Sequence, residues 1–201
     1  MKKIAIIIGA AACAFASGAA EPAAPAVTNK MAFVNVGGAV DAALFERVVT
    51  NDLLNVISVR TVADSQEKFD LAAAVAAAGG GYPKGERQIS VYFVDQQGFP
   101  PQLTCPGFFA VINMRGLKKD ADQKTYERRV FKMVLKGLAF ACGFGANQDS
   151  GRCVMGMGSF ETLRGIDSTS TSYSPFCYFP LFDYLLARKM IVDDPLPVDE
   201  E

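Results

Sequence analysis

Five cysteines, a sparse set of acids and one lysine on an apolar helix face are the side chains that could carry chemistry in this chain. The sequence has 201 residues and no histidine at all. Without imidazole there is no Ser-His-Asp or Cys-His machinery and no His-ligated zinc or haem, and the commonest general acid–base group near neutral pH is missing. Cys142, Cys153 and Cys177 are zinc-competent thiols, but no close Cys-x-x-Cys pair accompanies them. A nucleophilic cysteine has no His base to activate it. Lys136 is the one lysine on the apolar half of a long helix that could serve a serine as base, and its bland reading is a snorkelling surface lysine. Asp149-Ser150-Gly151 has the wording of an aspartic-protease loop in a single copy, where that chemistry needs two. Gly79-Gly80-Gly81 lacks the Lys-Ser/Thr of a phosphate loop and reads as a turn.

Composition sets the frame around these residues. Half of the chain is hydrophobic, a fifth is charged and the formal net charge is −1, which argues against a polybasic nucleic-acid binder. Lys2 and Lys3, the apolar run from Ile4 to Ala16 and the small residues to Ala20 read as a signal peptide over 1–20. The run is too short for a transmembrane span. Cys13 after Ala10-Ala11-Ala12 leaves a lipid anchor as a minor alternative. An Ala/Pro-rich linker over 21–30, one domain over 31–192 and an acidic tail over 193–201 follow. The expectation is an exported, periplasmic or secreted protein with no membrane span in its mature chain. Export would let Cys105, Cys142, Cys153 and Cys177 form disulfides, in any of three full pairings.

The elements that must position these residues read as an alternation of strands and helices. Strands are expected at Met31–Val36, Val56–Val62, Gln88–Val94 and Phe108–Met114. Helices are expected from Val40 to Leu54, from Gln66 to Ala78 with Ser65 as cap, from about Ala121 to Cys142, and near Leu181–Met190. The order suits an α+β fold, a twisted mixed sheet packed against helices, with an irregular C-terminal subdomain and a final helix.

From Gln88 to Met190 the chain resembles the archaemetzincins, a metzincin-like (zincin-fold) family of zinc peptidases. Their signature is a helix carrying HExxHxxGxxH, then a Cys, a Cys-x-Met and a later Cys-x-x-Cys. Arg152-Cys153-Val154-Met155 matches the Cys-x-Met element, and Phe160-Glu161-Thr162-Leu163 falls where the family has a similar polar–Leu segment. Ser174-Pro175-Phe176-Cys177 stands where Cys-x-x-Cys is expected. Phe109–Leu117 looks like the edge strand over the family's cleft. Aligned on Gly143, the first zinc-ligand position holds Lys136, the general-base position Gly137 and the second ligand Phe140, and the third ligand falls at or beside Ala146. Met155 then resembles the Met-turn residue.

The resemblance implies a scaffold whose metal centre is erased, since the motif needs two His on one helix face with the Glu between them activating water. It implies no metal, no cofactor and no peptidase activity. It also implies a disulfide between Cys153 and Cys177, left over from a Cys-rich second site. The remaining function would be binding of an extended peptide or an envelope protein by the edge strand, at Phe109, Val111 and Asn113. The alternatives are a zinc-independent hydrolase using Lys136 as base and a purely structural envelope protein.

Overall fold

A computed structural model describes residues 28–50, 57, 60–65, 68–79, 86–146, 153–156 and 162–191. The signal-peptide and tail expectations fall outside them, as do the turns at Gly80-Gly81 and Asp149-Ser150-Gly151, while Thr28–Lys30, expected in the linker, belong to the first strand.

Strands β1 (Thr28–Val36), β2 (Arg60–Ser65), β3 (Glu86–Val94), β4 (Gln102–Cys105) and β5 (Phe109–Asn113) form one sheet in the order β2-β1-β3-β5-β4. β1 pairs in parallel with β2 and β3, and β3 with β5, while β4 runs antiparallel to β5. The helices are α1 (Ala42–Val49), α2 (Leu71–Gly79), α3 (Gln123–Ala141), α4 (Leu163–Ser168) and α5 (Pro175–Ala187). This is the expected mixed sheet against helices.

Period-two alternation sorts the strand residues onto two apolar faces. Met31, Phe33, Ile89, Val91, Phe93, Ala110 and Ile112 join the core under α1, α3 and α5. Val36, Val94, Phe109 and Val111 face the other way, against Phe69, Leu71, Ala74 and Phe99 around α2. The first crossover moves outward from β1 to β2 and the second returns past β1 to β3. Right-handed connections therefore set α1 and α2 on opposite faces. Covered on both sides, β3 and β5 read as nearly unbroken apolar runs.

Four expectations are corrected. β2 lies at Arg60–Ser65, sharing Arg60–Val62 with the expected strand and running on to Ser65, and Ile57 makes an isolated bridge to Ile191. Ser65 ends that strand, and the α2 cap is Asp70, whose carboxylate accepts from the Ala73 amide at 3.1 Å. The final helix starts at Pro175, the first-turn position where proline's missing N–H costs nothing. β5 is no edge strand: β4 lies outside it, and Phe109, Val111 and Asn113 are buried. Asn113 is a structural residue, donating to the carbonyls of Gln96 and Phe99 at 2.9 Å each.

Candidate functional site

Helix α3 supplies the framework. Asp122 caps its N-terminus by accepting from the Thr125 amide at 2.7 Å. At the other end Gly143 adopts φ +92°, the Gly143 amide bonds the Phe140 carbonyl and the Phe144 amide bonds that of Ala139, both at 2.9 Å. This left-handed glycine cap turns the chain away from the helix axis. Lys136, Gly137, Phe140 and Ala146 thus lie on the last turns of a helix and just past a glycine turn.

One stripe of α3 is stitched to the C-terminal segment by polar contacts. Buried Arg129 makes a two-pronged ion pair with Asp167 at 2.8 and 2.7 Å and donates to the carbonyls of Leu117 and Lys119. The Lys132 ammonium donates to the carbonyls of Ile166 and Asp167. A turn further on, the Tyr173 hydroxyl donates to the Leu135 carbonyl. The Val154 amide bonds the Ser172 carbonyl at 2.7 Å, tying the Cys153–Gly156 segment to the same wall.

Lys136 is the next residue on this stripe, and it is 4% exposed, which corrects the reading of a snorkelling surface lysine. Its ammonium lies 5.2 Å from the centre of the Phe140 ring, within cation–π range. Burial pulls its pKa down to about 8, and the nearby Cys153 sulfur pulls the other way. At Gly137 a Cβ would sit 2.6 Å from Ile112 Cδ1, so the glycine lets α3 press against β5. The general-base position therefore faces a packed sheet.

These residues do not fit a zinc ion. An ammonium, a glycine, a phenyl ring and an alanine offer no donor atoms of the kind zinc takes. Among the described residues no three of His, Cys, Asp and Glu are grouped so as to hold a metal.

Beside Lys136 the structure gathers the thiols. Cys153 is fully buried, and its sulfur accepts from the amides of Ser174 at 3.3 Å and Met155 at 3.4 Å. The Cys177 thiol also donates to it. Burial raises the Cys153 thiol, but the hydrogen bonds from Ser174, Cys177 and the Met155 amide outweigh it and hold the thiol below its usual range. Cys142, buried without such donors, is pushed up to about 12. All four described cysteines are free thiols, so the expected Cys153–Cys177 disulfide is not formed. Cys105 and Cys142 pack into different apolar clusters. Sequence reasoning missed the donors to Cys153 because two are backbone amides.

Next to this group opens a cavity of about 290 Å³ lined by Ala139, Phe144, Ala146, Met155, Phe176 and Cys177, among others. Met155 and Ala146, two of the positions picked out by the motif, share this cavity. Pro106, in the β4–β5 turn, lies against Gly143, and the Gly107 amide bonds the Ala141 carbonyl at 2.9 Å. The edge strand thus ends beside the α3 terminus from which the cavity opens. No described helix is long and apolar enough to cross a membrane.

No family model and no curated protein matches the sequence. Solved structures do. The archaemetzincin of Methanopyrus kandleri superposes with a TM-score of 0.57 at 20% identity, covering 84% of this chain and 99% of that one. The archaemetzincin of Archaeoglobus fulgidus, in complex with malonate, gives 0.52 at 16% identity, covering 73% and 97%. The chain has the archaemetzincin, zincin-like α+β fold, and no metal-binding cluster among its described residues.

Proposed function

We propose that this chain is an exported pseudopeptidase, a zincin-fold protein that binds extended peptides and no longer cleaves them. The observation that carries the reading is the packing at the positions the motif would give to a metal centre: Lys136 is buried against Phe140, and Gly137 is closed off by Ile112. Retention of the fold without its donors leaves binding as the use of the cleft. The lysine pair and apolar run before Ala20 support export.

β4 supplies the docking edge. Among the described residues it is hydrogen-bonded on one side only, to β5. The Asn113 amide bonds the Pro101 carbonyl, and antiparallel alternation then makes Leu103–Val111 a bonded pair. Gln102 and Thr104 accordingly direct their amides and carbonyls away from the sheet, where an extended chain can add as a further strand. Thr104→Pro removes one outward N–H and leaves the inner ladder intact. Fluorescein-labelled extended peptides, screened by anisotropy against the full chain, should bind wild type and lose at least tenfold in affinity with Thr104→Pro. Equal affinity for both proteins, or no binding by wild type, contradicts the proposal.

The depressed pKa of Lys136, about 8, favours a second reading, a lysine-based hydrolase. Esterase or peptidase turnover that disappears in Lys136→Ala would select it.

A further inference from the structure

Cys177 lies in the first turn of the 13-residue helix α5, half-buried, on the wall of the 290 Å³ cavity. Directly behind it is the fully buried Cys153, whose sulfur sits at the N-terminus of that helix and accepts from the Ser174 amide. The Met155 amide and the Cys177 thiol supply further donors. The Ser174 hydroxyl is buried beside the same sulfur without completing a hydrogen bond of good geometry, so α5 lacks a side-chain cap there. Several donors, a positive helix terminus and the Lys136 ammonium converge on one sulfur, an environment suited to a thiolate. One thiol is reachable from solvent, and the other is held behind it among donors that favour its thiolate.

We propose that Cys177 and Cys153 are a redox-active dithiol that reduces small organic disulfides entering the cavity. The proton on Cys177 passes to the Cys153 thiolate along their hydrogen bond. The Cys177 thiolate attacks one sulfur of the disulfide RSSR, forming a Cys177–SR mixed disulfide and expelling RS⁻. That RS⁻ takes the proton from Cys153 and leaves as RSH. The Cys153 thiolate then attacks the Cys177 sulfur, closing the Cys153–Cys177 disulfide and releasing a second RS⁻. The dithiol loses two electrons and RSSR gains them. This inference stands independently of peptide binding at β4.

The test incubates the folded, reduced full chain with glutathione disulfide, quenches with N-ethylmaleimide and maps the products by mass spectrometry. Wild type should lose two hydrogens and yield a Cys153–Cys177 linked peptide, with Cys142 still a thiol. Cys153→Ser should stop at a glutathione adduct on Cys177, and Cys177→Ser should leave Cys153 unreacted. A wild-type protein that carries no link at equilibrium, or that joins Cys153 to another cysteine, overturns the proposal whether or not the variants fold.

Discussion

Gly137→Ala isolates the close approach between α3 and β5. The added Cβ would stand 2.6 Å from Ile112 Cδ1, 3.2 Å from Ile112 Cγ1 and 3.4 Å from Val91 Cγ1. Favourable carbon–carbon separations begin near 3.5 Å. Ile112 and Val91 are fully buried, so neither can swing into solvent. Overpacking of this kind costs about 1–3 kcal/mol. Replacing a mid-helix glycine by alanine returns about 0.8–1 kcal/mol through backbone entropy. The net expectation is a loss of about 1 kcal/mol, read as a lower urea midpoint at unchanged slope. Ile112→Val alone should cost about 0.5–1.5 kcal/mol by opening a void. In the double variant the new methyl fills that void, so the cycle should show favourable coupling of about 1 kcal/mol or more. A Gly137→Ala protein more stable than wild type by about 1 kcal/mol, with no coupling to Ile112, would refute the close-approach argument. The same geometry predicts that Gly137→Glu cannot simply restore a general base, because its side chain starts inside the helix–sheet contact.

Two further outcomes follow from the site. Lys136 keeps a pKa of about 8 when folded against 10.5 when unfolded, so the unfolded chain holds more protons between those pH values and the lysine's destabilising effect fades as pH rises through them. Lys136→Met should therefore stabilise by about 1–3 kcal/mol near pH 7 and by much less at pH 10.5, in paired urea titrations; a pH-independent change would contradict the burial argument. Asn113→Ala removes both side-chain hydrogen bonds to the Gln96 and Phe99 carbonyls and should cost about 2–3 kcal/mol without altering peptide affinity. Weakened peptide binding in a variant of normal stability would return Asn113 to the binding surface.

Much of this architecture is legible in the sequence, because long periodic elements announce themselves. The stripe Val130, Met133, Val134, Leu138 marks α3 to within two residues, and the apolar run Gln88–Val94 marks β3. β4 was hidden by its setting: four residues between Pro101 and Pro106 read as loop, yet proline is tolerated at an outer strand. That one missed element moved the sheet edge from β5 to β4. β2 runs past the expected Val62 because parallel pairing with β1 carries it on through Asp64 and Ser65, where hydrophobicity gives no signal. Lys136 is buried beside Cys153, a neighbour distant in sequence that helix periodicity cannot register. The motif-like spacing is readable, since it is local to one helix and one glycine turn. The packing at those positions is not, because it is set by contacts across the fold.

On this zincin-like fold, packing around Lys136, Gly137 and Phe140 leaves no place for a metal ion. The decisive measurement is elemental analysis of the folded full chain, purified after expression in zinc-supplemented medium and dialysed without chelator. Zinc should be no higher than in the dialysis buffer. One zinc per chain, retained through dialysis, would contradict it.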